Sequence, residues 1–459
     1  MIVAGAVVVL LMLGGAVAVS FFRSPTPAAA KGLPSTVAMA VEINFSPSPA
    51  DQLALSRIVN KLPLGEEMPE TTDYKEALWE LIPDDGDKPD YATEIKPWLG
   101  NSLAVGFLSP DLGAPSWFDD QAVMAIETTD TRKAEEFASG SGWDGEYFFV
   151  DEVLVLAPAA TGLDAEMVKA DALADDAAYR ADMARLGGGN LGTVWLGPGL
   201  FDLILEDADT MALPGADLDA IRGSHGAAGL KVAENRIMVE TQFISPNYPQ
   251  PEVDDVRSFA EDLPGAALVA VAGSGSTQAY EQSWEALEQA GLGGQLEAFG
   301  ITSAADMEAL LGRQIGLTLA LADSGEPVVA AKFVSDDPAR QRALMDTVVD
   351  SLYGEDWITA EQHGDTMYVV AGQPLEAALN PSSLLGDSAA YKDVVTGPAG
   401  GLGFVDVEAF KGTTLYQELA ADPYSSEFAA WLAPVRSIGM TGTAGDDGYS
   451  EGQLQVRFN

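Results

Sequence analysis

The chain contains no cysteine. This excludes disulfides, thiolate metal sites, cysteine nucleophiles and an anchor attached by cysteine lipidation. It does not identify a redox compartment, because a domain of ordinary size can be held by its core alone. Basic residues are also scarce: Lys and Arg total 24 against 70 Asp and Glu, for a formal charge of −46. Phosphate binding needs clustered Lys and Arg that release counterions, and no such stripe occurs, so nucleic acid is not expected as a partner. His225 and His363 are the only histidines. A two-histidine zincin helix therefore cannot be built, and no stretch reads as G-x-S-x-G, S-x-x-K or a phosphate-binding P-loop. No cofactor, no metal site and no catalytic constellation is expected, and whether the protein is an enzyme stays open.

The 459 residues are 47% hydrophobic and 20% charged, as in a globular protein, and suit two domains of about 200 residues each. Long apolar runs are limited to one. From Ile2 to Phe22 the chain carries no charge, and at about 1.5 Å per residue this stretch spans the ~30 Å of a bilayer as a helix. A cleaved signal usually has a shorter apolar region, so residues 1–23 read as a retained anchor, with cleavage near "PAAAK" and secretion as the alternative. Arg23 and Lys31 follow the span and oppose export by the positive-inside rule, yet long domains translocate regardless of flanking charge. The expected localisation is the cell membrane, single-pass, with the bulk of the chain extracytoplasmic.

Residues 24–32 read as a Pro/Ala tether. Folding is expected to begin near Leu33, with the strand "LPSTVAMAVEI", the helix "SPADQLALSRIVNKL", the strands "SLAVGFL" and "QAVMAIE", and the helix "DTRKAEEFA" capped by Asp130. Two short strands follow around Asp151 and Glu152. A helix around Tyr179, the strand "GTVWLG" and a hairpin turning at Glu234 and Asn235 complete the half. Residues 246–262, with Pro246, Pro249 and Pro251, read as a linker. The order of elements then restarts: "LPGAALVAVAG" matches "LPSTVAMAVEI", "LLGRQIGLTLA" matches "WLGNSLAVGFL", "DDPARQRALMD" matches "TDTRKAEEFAS", and Tyr391 takes the place of Tyr179. Gly312 follows Gly100 at the same separation as Tyr391 follows Tyr179. The expected architecture is α+β: two homologous repeats, 33–245 and 263–459, each a largely antiparallel sheet with helices on one face. The element order resembles an extended ferredoxin-like split βαβ unit.

The apolar N-terminal span, the Leu-Pro opening strand, the Trp-Leu-Gly or Leu-Leu-Gly step, the helix that starts with Asp, the "ALADDAAYR" helix and the Gly-rich step into a strand are together similar to the bacterial domain-of-unknown-function family thirty-three fifty-two. The resemblance covers most of the chain from Leu33 onward. It implies an envelope protein, typical of high-GC Gram-positive bacteria, without an established activity and without catalytic residues to carry over.

The remaining motifs favour plain structural readings. "GGGNLG", Gly187 to Gly192, has dinucleotide-loop spacing but follows a helix and opens a strand, so it reads as a helix C-cap and turn. His225 precedes the closing hairpin and His363 sits beside a turn, as exposed or locally bonded imidazoles. Ser274 and Ser276 in "AGSGST" read as a strand end and turn. Acid pairs such as Asp84 and Asp85 arise freely among so many carboxylates, and "DDGDKPD" lacks the spacing of a calcium loop. Trp117 and Phe118 in "APSWFDD" stand in a loop longer than its counterpart in the second half; they either contact a partner, a glycan or the bilayer, or fold back over the core. The function expected from these readings is a membrane-tethered extracytoplasmic binding or scaffolding protein of the cell envelope. The alternatives are a carrier of an apolar ligand or lipid between sheet and helices, and a hydrolase using acidic residues. An envelope protein, a glycan or a lipid are the partners such a module would take; the oligomeric state is not legible.

Overall fold

A computed structural model describes residues 23–24, 28–63, 73–80, 88–108, 121–140, 143, 145–203, 221–247, 253–322, 325–351, 358–372, 375–445 and 447–459. It is a mixed α+β structure whose described residues fall into two compact units, the first ending at Asn247 and the second opening at Val253.

In the first unit the strands, besides the two-residue Arg23–Ser24 that pairs antiparallel with Asn190 and Leu191, are β1 (Met39–Asn44), β2 (Leu99–Phe107), β3 (Ala122–Thr128), β4 (Glu146–Val150), β5 (Val153–Ala157), β6 (Asn190–Leu196), β7 (His225–Ala233) and β8 (Arg236–Ile244). All pair antiparallel in the order β4–β5–β3–β2–β1–β6–β7–β8. The second unit repeats this order. Its strands β9 (Val269–Ser274), β10 (Gln314–Leu321), β11 (Pro327–Val334), β12 (Ile358–His363), β13 (Thr366–Ala371), β14 (Gly401–Asp406), β15 (Val435–Ala444) and β16 (Tyr449–Phe458) pair as β12–β13–β11–β10–β9–β14–β15–β16. Even an isolated bridge recurs, Pro34 with Ala172 and Pro264 with Leu384.

The pairing fixes residue equivalence between the units. Glu42 lies between Ala104 and Thr193, while Ala272 lies between Gly316 and Leu402. Trp195 faces Ala40 and Ala227, and Phe404 faces Ala270 and Gly439.

Local sequence explains the elements. Helix α1 (Pro49–Val59) starts after Ser48 with proline in its first turn, and α2 (Thr131–Gly140) starts where Asp130 accepts a hydrogen bond from the Lys133 amide at 3.1 Å. Helix α3 (Ala177–Leu186) is capped by Asp176, which accepts from the Tyr179 amide, and ends at Gly187 with φ 71°. The β7–β8 hairpin turns at Glu234 and Asn235, as its sequence implies, with Asn235 at φ 55°.

Three expectations need correction. Helical segments cover both faces of each sheet. In the first unit Leu33, Leu173, Tyr179 and Leu186 pack over Ala40, Ala104 and Trp195, whereas Tyr91, Trp98, Ala134 and Ala138 pack over Ile126 and Leu154 on the other side. A strand buried on both faces reads as a continuous apolar run, and "VLVLA" in β5 is such a run. The second unit is covered likewise, by Phe259, Tyr391 and Val394 on one face and by Trp284, Leu310 and Met345 on the other. The strand order also departs from a ferredoxin-like sheet. One split βαβ occurs, since β3 and β4 are joined through α2 with β5 between them, but β1 and β2 are direct antiparallel neighbours. Finally, folding starts before the expected boundaries. Residues Ala28–Gly32 form a 3-10 turn whose Ala29 and Ala30 are buried and whose Gly32 lies so close to the sheet that a Cβ there would stand 2.7 Å from Val153 and 2.8 Å from Ala125. Arg257–Glu261, inside the expected linker, forms a short helix that buries Phe259 and Ala260. Among the described residues no helix is long and apolar enough to cross a membrane. The Ile2–Phe22 run lies outside the described residues.

Candidate functional site

Two features stand out from ordinary core and surface. The first is an apolar row on the second unit. Leu317 in β10 pairs with Val271 in β9, Val271 with Gly403 in β14, and Gly403 with Met440 in β15. Directly paired residues share a face, so these side chains line up across four strands. Val271 is 49% exposed, Leu317 40% and Met440 45%. Gly403 leaves a gap that the Met440 methyl group overlies. The next row, Leu319, Val269, Val405 and Ile438, is half-buried and also wholly apolar. In the first unit the corresponding Val105, Val41, Val194 and Ala228 are half-buried or buried.

The second is a polar seam in the core of the first unit. Glu42, on β1, is 1% exposed. Tyr179 on α3 donates its hydroxyl hydrogen bond to Glu42 Oε1, and Thr193 on β6 donates to Oε2 at 3.3 Å. Burial pushes the Glu42 carboxyl up to about 7, against the opposing pull of these two hydrogen bonds. Burial likewise pushes the Tyr179 phenol well above its usual range, reinforced by the neighbouring carboxyl. One helical turn beyond Tyr179, Asp182 is 0% exposed and its Oδ2 accepts from Trp195 Nε1 at 2.9 Å and from His225 Nδ1 at 2.8 Å. The Tyr179 and Trp195 rings meet edge to face at 5.6 Å and separate the two carboxyls.

The second unit places Ala272 where Glu42 stands, Leu402 for Thr193, Phe404 for Trp195, Val394 for Asp182 and Ser437 for His225. Only the tyrosine is kept, as Tyr391 packed on Phe404 at 5.5 Å. The fold is thus completed with a seam that holds neither acid nor imidazole in one unit and with both in the other. The architecture alone does not require the acids.

Other sites are closed structurally. The Gly100 carbonyl accepts from Lys75 Nζ at 2.6 Å, and the equivalent Gly312 carbonyl from the Tyr280 hydroxyl at 2.6 Å. A cleft of ≈ 250 Å³ beside Gly312 is lined by Tyr280, Glu308, Arg313 and Arg340, but Arg313 is paired with Asp336 at 2.6 Å and Arg340 with Asp306 at 2.6 Å. His363, at the end of β12, is half-exposed and bonded to Glu361 at 2.6 Å. Ser274 ends β9 and Ser276 caps the helix Thr277–Gln289. Among the described residues no three His, Asp or Glu side chains converge on a metal position. Trp117, Phe118, Asp84 and Asp85 lie outside the described residues.

In the sequence Glu42 alternates with Val41 and Ile43 and shares its face with Ala40 and Asn44, a pattern that ordinarily marks the solvent side of a strand. His225 reads in the sequence as an exposed or locally bonded imidazole; the structure joins it to Asp182 and, through that carboxylate, to Trp195. The available signal was the mismatch between the two repeats, with acids in one against Ala and Val in the other.

No curated protein matches the chain. Residues 2–141 match the model of the family described as "Protein of unknown function (DUF3352)", which is the family that the sequence motifs resemble.

Proposed function

We propose that this is a membrane-tethered, extracytoplasmic binding or scaffolding protein of the cell envelope, built from two repeats of one domain. The observation that carries the reading is the Val271, Leu317 and Met440 row. Three large aliphatic side chains on a rigid sheet, each at least 40% exposed and flanked by a second apolar row, form a contiguous patch of the kind that marks protein contact. The patch lies on the part of its face that the helices leave exposed. That supports a docked protein face over a carried lipid, which would need an enclosed apolar chamber. The acidic hydrolase is supported less, since Glu42 and Asp182 are withdrawn from solvent at 1% and 0% exposure. The tether in this reading is the uncharged run Ile2–Phe22, with a cleaved, secreted form as the alternative.

Photo-crosslinking side chains placed at Leu317 or Met440 of the full chain in living cells should yield a discrete protein adduct, and one at Glu361 should not. The chain should sediment with membranes and be digested by protease outside intact cells. Equal adducts from all three positions, or protection until lysis, would overturn the reading.

A further inference from the structure

We propose that the first unit carries a proton-operated latch, in which Glu42 takes up a proton so that its carboxyl sits neutral in the dry seam between β1, helix α3 and strand β6, and gives it up to leave there a buried charge that loosens the seam. The latch does not depend on the binding surface assigned to the second unit.

The geometry supplies a group with two states. Both carboxyl oxygens of Glu42 are occupied by hydroxyls from two different elements, and the carboxyl is buried among apolar neighbours such as Ala40 and Ala104. A neutral acid suits that pocket once one of the two hydroxyls turns to accept its O–H, whereas a carboxylate keeps both as donors but puts a full charge where water cannot reach. The charged and titratable groups on the same face do not offset it. Helix α3 contributes Tyr179 and a second acid, Asp182, with Asp176 at its start. Strand β6 contributes only Thr193 and Trp195. Strand β7 contributes His225, bonded to Asp182, and Lys231, which bonds Glu240 of β8 and the Leu186 carbonyl at the far end of α3. Strand β3 contributes Glu127, bonded to Ser102 of β2, and Lys31 in the neighbouring turn is exposed. Losing the proton therefore adds a negative charge on Glu42, to which no cation among the described residues is bonded.

The comparison between units separates a device from a mere packing solution. Ala272, Leu402 and Val394 fill the same seam in the second unit without any titratable side chain except the tyrosine. An acid retained in one copy of a seam that closes without it is positioned to respond to pH near neutrality, the range in which Glu42 changes state.

The test uses full-length protein in detergent. Infrared spectra should show a protonated-carboxyl band at about pH 6 that is lost by about pH 8.5 and is absent from Glu42→Gln. Amide exchange of residues 177–186 and 190–196, corrected for intrinsic rates, should be about tenfold faster at the higher pH in the wild type, unresponsive in Glu42→Gln, and still responsive in His225→Asn. Tyr179→Phe, which removes a donor to the carboxylate, should move the infrared midpoint to higher pH. The proposal is overturned if the wild-type band is missing, if the exchange response survives Glu42→Gln or vanishes in His225→Asn, or if Tyr179→Phe leaves the midpoint in place. The wild-type and Tyr179→Phe spectra decide the matter even if Glu42→Gln does not fold.

Discussion

Tyr179 and Tyr391 occupy the same position in their units, both at 0% exposure and both edge-on to an aromatic ring, yet only Tyr179 bonds a carboxyl; the Tyr391 hydroxyl is buried without a partner. A buried hydroxyl left unpaired destabilises by about 1–3 kcal/mol. Tyr391→Phe is therefore expected to raise stability by about 1 kcal/mol, while Tyr179→Phe lowers it by about the same amount. Denaturant unfolding of the two variants should move the midpoint in opposite directions.

A further variant removes the polar seam as a whole. Replacing Glu42, Asp182, Thr193, Trp195 and His225 by their second-unit counterparts, Ala, Val, Leu, Phe and Ser, should leave a folded protein, at least as stable as the wild type at about pH 8, because buried ionic groups are often replaced by apolar ones without loss. Circular dichroism and thermal melting would check this. Collapse of the first unit would mean that the acids are needed for folding after all.

Stability should fall as pH rises through the Glu42 transition. Burial raises its carboxyl from the ordinary 4.5 to about 7. Below about 4.5 the acid is protonated in folded and unfolded chains alike; between 4.5 and about 7 the folded chain holds the extra proton; above about 7 the stabilisation is lost. Glu42→Gln should flatten this slope and gain on the order of 3 kcal/mol relative to wild type at about pH 8.5. Urea unfolding across the pH series measures it, and parallel wild-type and variant curves would count against it.

Two glycines separate backbone strain from crowding. Gly187 and Gly312 close their helices at φ 71° and 74° with extended ψ, a region reserved for glycine. A Cβ at Gly187 meets nothing within 4 Å, whereas one at Gly312 would lie 2.1 Å from the Val334 carbonyl oxygen. Gly187→Ala should destabilise by about 1–2 kcal/mol through strain alone, and Gly312→Ala by clearly more, on the order of 4 kcal/mol. Comparable melting temperatures for the two would refute the distinction.

Much of this architecture is legible in the sequence, and the rest is not for physical reasons. Strand alternation and the Asp130 and Gly187 helix signals lie in local backbone chemistry, which the sequence displays. The equivalence of Tyr179 and Tyr391 follows from spacing alone. Which side of a sheet a helix covers depends on the handedness and length of its connections, and "DTRKAEEFA" carries no mark of it. The turn at Ala28–Gly32 looked like a tether because small residues signal flexibility and close packing alike. Glu42 eluded the reading because its neighbour in space, Thr193, is 151 positions away.

That separation also bears on how the chain reaches its fold. Strand β1 is the first strand of more than two residues to be synthesised and occupies the interior of its sheet, but its second partner, β6, follows more than a hundred residues later. Until β6 docks, one side of β1 presents unpaired amides and carbonyls, the condition under which nascent sheets recruit wrong partners. Each half should accordingly fold slowly and late, governed by a loop closure of high contact order rather than by any local nucleus. The emergence of residue 196 then sets the earliest moment at which the first sheet can close around its opening strand.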